Sequence, residues 1–188
     1  MNLAFPKLMV EKRIVEQCAP TLAGIKCGSL FRVGCPYSEI AFETKRLSDI
    51  LNPRGVTITC FEMGCGTIVY THRTNLIERM DTESIDYLSK RGYDVKDTST
   101  LLLSSLKEMI GKSGCLPHEI GIFLGYPLDD VRGFIENNGR CPKCIGCWKV
   151  YGSETAAHRM FSKIHKCKEV YSRHYSSGTP LSRLTVNV

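Results

Sequence analysis

The sequence predicts an α+β fold, a single domain with a small, mostly antiparallel sheet of about four strands packed with helices. Three observations carry this. β-branched runs flank a glycine turn at residues 62–66, the pattern of a hairpin. Apolar residues recur at helical spacing through most of the remaining chain. The 188 residues are 43% hydrophobic and 23% charged, an ordinary globular balance with enough apolar mass for a core.

Taken in order, residues 6–17 read as an amphipathic helix, with Leu8, Met9, Ile14 and Val15 at helical spacing. A first strand is expected at 29–33, and a helix at 39–52 that stops before Pro53. Residues 56–61 and 67–72 are the two arms of the hairpin. Short helices are expected at 75–80 and 83–91, the second closed by Gly92. Residues 98–112 give the clearest helix, with Leu102, Leu106, Met109 and Ile110 on one face.

The stretch from Leu116 to Gly139 reads as a helix, a Gly-Tyr-Pro turn and a second helix opened by Pro127. Residues 148–151 form a fourth strand. Ser153 caps a last helix to about Tyr171, with Ala157, Met160, Ile164, Cys167 and Tyr171 along one stripe. This places one domain over residues 1–175 and a flexible tail over 176–188.

No apolar stretch approaches the roughly 20 residues of a membrane helix. The start has no basic-then-apolar signal region, and the expected location is the cytoplasm. In a reducing compartment the ten cysteines point to thiols, metal ligands or catalysis rather than disulfides. Charge is uneven: residues 1–139 carry a net −1 and residues 140–188 a net +7. The basic end suits an anionic partner, nucleic acid among them though not the favoured one, or offsets thiolate charge.

The basic end also holds Cys141-Pro-Lys-Cys144-Ile-Gly-Cys147, two overlapping C-x-x-C units. Two intervening residues let both sulfurs reach one ion while the chain turns around it. Zinc and an iron–sulfur cluster are the expected occupants, with Cys141, Cys144 and Cys147 as ligands and Cys167 as the fourth. His165 competes with Cys167, but on a helix the two point about 200° apart, so one of them faces the site. A redox dithiol is the third option, weakened because the motif precedes a strand rather than a helix.

Two other readings compete. His118 and Glu119, with Cys115 nearby, could line a small-molecule or thiol-redox enzyme site. The helix pair of residues 117–139 has helix-turn-helix spacing, but its second helix opens with Asp129 and Asp130, which phosphates repel. Gly111-Lys-Ser lacks the leading glycine of a phosphate loop, and His118-Glu119 lacks the second histidine of a zinc-protease helix.

Residues Cys18-Ala-Pro-Thr-Leu-Ala-Gly-Ile-Lys26, then Pro117-His-Glu-Ile-Gly-Ile-Phe-Leu-Gly-Tyr-Pro-Leu-Asp-Asp-Val131, Cys144-Ile-Gly-Cys-Trp-Lys-Val-Tyr-Gly152 and Phe161 to Cys167 occur in that order. Together they resemble a domain-of-unknown-function family found mainly in anaerobic, Gram-positive bacteria. The resemblance spans nearly the whole chain and implies one cytoplasmic domain in an oxygen-poor setting. It brings no activity, ligand or catalytic residue with it. The function expected from the residues is a metal- or iron–sulfur-binding accessory or regulatory protein.

Overall fold

The computed structural model describes residues 4–64, 66–96 and 98–187, so Cys65 of the expected hairpin turn lies outside the described residues. The fold is α+β. Two compact units make up the chain, Met1–Asn75 with Lys166–Val188, and Leu76–His165. Among the described residues no helix is long and apolar enough to cross a membrane.

The first unit is built on a three-stranded antiparallel sheet of β1 (Gly28–Val33), β2 (Val56–Met63) and β3 (Gly66–Arg73), in the order β1-β3-β2. Phe31 and Cys60 both pair with Val69, forming one cross-strand row. Against that face α1 (Ala4–Leu22) and α2 (Tyr37–Leu51) bury Val10, Ile14, Cys18, Ile40 and Leu47. Gly66 opens β3 at φ +128°, and a Cβ there would meet the Val33 carbonyl oxygen at 2.2 Å, so only glycine fits.

Arg73, at the end of β3, is fully buried. Its Nε donates to the Thr21 carbonyl at 2.9 Å and its Nη2 to that of Leu22 at 2.7 Å, satisfying the C-terminus of α1. Its Nη1 donates to Val186 O at 2.8 Å and to Arg54 O at 3.3 Å. Part of the segment expected as a flexible tail is packed here. Leu181, Leu184 and Thr185 are buried, and Val186 N donates to Leu22 O at 3.1 Å. Leucines three residues apart in a turn closed on the Pro180 carbonyl give this segment an apolar side to bury.

The second unit holds α3 (Thr82–Lys90), α4 (Ser99–Ser113), α5 (Ile120–Phe123), α6 (Leu128–Glu136), the strands β4 (Cys144–Ile145) and β5 (Lys149–Val150), and the first turns of α7 (Glu154–Ser176). Asp81 caps α3 by accepting from Ser84 N at 2.7 Å. Thr98 caps α4 the same way, and Gly114 at φ +68° ends it. The expected fourth strand is β5, and it joins β4 in a separate two-stranded sheet rather than the main one. The chain reverses within residues 146–148, where Gly146 N donates to Trp148 O at 3.0 Å. A Cβ on Gly146 would sit 2.2 Å from the Phe161 ring, so glycine lets the hairpin press directly on α7.

Candidate functional site

The site grows from close approaches that small residues permit. A Cβ on Gly121 would come 2.7 Å from Val131, which sets α5 tight against α6. One on Gly133 would come 2.3 Å from Tyr151, which sets α6 tight against the chain after β5. Asp130 fixes the arrangement. Only 3% exposed, it accepts at Oδ2 from Trp148 Nε1 at 2.7 Å, and at Oδ1 from Tyr151 N and Gly152 N, both at 2.7 Å. A buried carboxylate supplied with three donors is a strong local anchor.

Between α5, α6 and the hairpin lies a cavity of about 360 Å³. Its apolar wall comes from Ile120, Tyr126, Val131, Phe134 and Trp148. Trp148 stacks on Tyr126 with centroids 4.7 Å apart and meets Phe161 edge-on at 4.6 Å. Burial, with Cys147 beside it, pushes the Tyr126 phenol up to about 12. Polar groups reach the same space from His118, Asp130, Cys147 and Lys149. His118 meets Phe134 edge-on at 5.1 Å, and Lys149 Nζ lies 5.7 Å from the same ring and donates to Gly139 O at 2.7 Å.

The sequence-based candidates fall in different places. Cys141 is exposed, in a turn at φ +50°. Cys144 is half-buried in β4, its thiol pushed up by desolvation and by the neighbouring Glu154 carboxylate. Cys147 is half-buried, with Sγ 4.0 Å from His165 Nε2. Cys167 belongs to the other unit, is buried, and is pushed up to about 11 by that burial. Of the two competing residues on α7, His165 is the one beside Cys147. Among the described residues no group of three or more His, Cys, Asp or Glu side chains is arranged to hold a metal ion.

His118 is at the cavity, but Glu119 turns to Arg91, Oε1 to Nη1 at 2.5 Å, and serves an ion pair. Cys115 is exposed, its carbonyl accepting from Ser113 Oγ at 2.9 Å. The expected helix-turn-helix has a first helix of one turn, α5, while Leu128, Asp130, Val131 and Gly133 of the second are buried. Sequence reasoning missed Asp130, Tyr126 and Trp148. The available signal was the lone Trp, because a buried indole N–H needs an acceptor and few side chains nearby could supply one.

Searches of curated proteins and of solved structures each return no match. A family model described as Protein of unknown function (DUF3793) matches residues 14–185, nearly the whole length. The chain belongs to that family.

Proposed function

We propose that the unit Leu76–His165 is a small-molecule-binding domain whose ligand occupies the cavity between α5, α6 and the β4–β5 hairpin. The observation that carries this is the cavity itself, about 360 Å³ with aromatic walls and a few converging polar groups. Sites of that size and lining suit small organic ligands. The Asp130 carboxylate is already engaged by three N–H donors, so it shapes the wall rather than offering an open charge. Lys149 supplies a cation and His118 an imidazole. The matching ligand is planar and mostly apolar, with one acceptor or anionic group.

Trp148 is the chain's single tryptophan and lines the cavity, so its emission reports occupancy directly. Titration with anilinonaphthalene sulfonate should quench Trp148 saturably at one site, and benzoate or naphthoate should compete. Ile120→Phe, which fills the cavity, should abolish the quench while circular dichroism stays unchanged. Trp148 emission indifferent to the dye and to both aromatic acids, in a folded protein, would refute the reading.

A further inference from the structure

One wall of the cavity carries chemistry that ligand binding alone does not use. Cys147 lines the cavity, and its Sγ lies 4.0 Å from His165 Nε2 on α7. An imidazole at that distance can take a thiol proton after a small movement, and the thiolate is the reactive form. The other cysteine of the same C-x-x-C unit, Cys144, lies in β4 beside Glu154. Cys147, the one beside the histidine, lines the cavity, and so does Lys149.

We infer that Cys147 is a ligand-accessible nucleophile, served by His165 as base, that captures low-molecular-weight disulfides entering the cavity. This rests on the cavity being a ligand site. The step is thiol–disulfide exchange. Cys147 gives its proton to His165 Nε2, and the thiolate attacks one sulfur of R–S–S–R. A Cys147–S–R bond forms as the R–S–S–R bond breaks. The leaving R–S⁻ takes the proton back from His165 as R–SH. One disulfide replaces another, so no further oxidant or reductant is consumed.

Dithiobis(nitrobenzoate), an aromatic disulfide with carboxylates, is a suitable probe for the whole chain. Thionitrobenzoate release gives the rate, and peptide mass assigns the site. Cys147 should be modified at least about tenfold faster than Cys115 and Cys141, the two exposed thiols among the described residues, and His165→Gln should remove about that factor at Cys147 alone. Cys147 reacting no faster than those thiols, or unaffected by His165→Gln, overturns the proposal. Dye titration of the same preparation separates the two readings. Dye binding with a slow Cys147 removes the nucleophile and keeps the site, whereas a fast Cys147 without dye binding removes the cavity as a ligand site.

Discussion

Arg73 in one unit and Asp130 in the other are both buried and both charged, yet they hold different things. The Arg73 guanidinium donates to carbonyls of Thr21, Leu22, Arg54 and Val186, drawn from three regions distant in sequence. The Asp130 carboxylate accepts from Trp148, Tyr151 and Gly152, all at or just after the hairpin. The cation closes a fold, tying helix end, loop and C-terminal segment into one centre. The anion holds a single hairpin against α6 and borders a cavity. A buried charge saturated with hydrogen-bond partners can therefore serve architecture in one unit and site geometry in the other.

The contrast breaks most visibly at Arg73. Arg73→Met keeps the volume but strands several buried carbonyls at once, each costing about 1–3 kcal/mol. A total loss of about 5 kcal/mol or more is expected by denaturant titration, enough to unfold a marginal unit. Arg73→Lys keeps the charge but loses the planar fork, and should recover only part of this. Asp130→Asn should cost less, about 3 kcal/mol, because its amide group turns a donor toward one of three existing donors. The informative readout is Trp148. If Asp130 sets the cavity wall, Asp130→Asn weakens dye binding even where the protein stays folded, whereas no Arg73 variant that folds should do so.

His72 neighbours Arg73 in sequence and sharpens the comparison through pH. It is 2% exposed, and burial pulls it down to about 4, opposed by its hydrogen bond to the Arg73 carbonyl. Nδ1–H donates to that carbonyl at 3.0 Å, so Nε2 accepts from the Thr59 hydroxyl at 3.0 Å. The folded state thus prefers neutral imidazole, while the unfolded chain protonates near 6.5. Stability is constant above that value and falls as pH drops toward 4. The loss between pH 7 and pH 5 is about 2 kcal/mol. His72→Gln should flatten that slope, and a slope unchanged by the substitution would assign the acid sensitivity to other groups.

The sheet was legible because its signals are local. β-branched runs around glycine place β2 and β3 within two residues of their expected bounds. Thr98 and Gly114 bracket α4 as capping chemistry demands. What the sequence hid is long-range. Pairing of residues 149–150 with 144–145 depends on a tight turn in a segment whose cysteines read first as ligands. The docking of residues 181–186 depends on Arg73, more than a hundred positions away. The cysteine motif was conspicuous and the cavity silent, because Asp130 looks in sequence like a simple helix-dipole carboxylate. Only burial reveals it as the acceptor for Trp148.

The smallest expected effect is the one that decides between the cavity and the cysteine motif as the centre of the second unit. Cys141 is exposed and sits at φ +50°, where side chains other than glycine are strained. With no ion at the turn, Cys141→Ser should change stability by less than about 0.5 kcal/mol. Cys141→Gly should stabilise by up to about 1 kcal/mol, because the strain is relieved. Both should leave Trp148 dye binding unchanged. If the three thiols instead regroup around zinc or iron, metal binding is part of the folding free energy, and both substitutions destabilise. Elemental analysis of anaerobically purified protein then shows near-stoichiometric metal that Cys141→Ser removes. The sign of the Cys141→Gly effect, read from a single denaturation curve against wild type, separates the two cases.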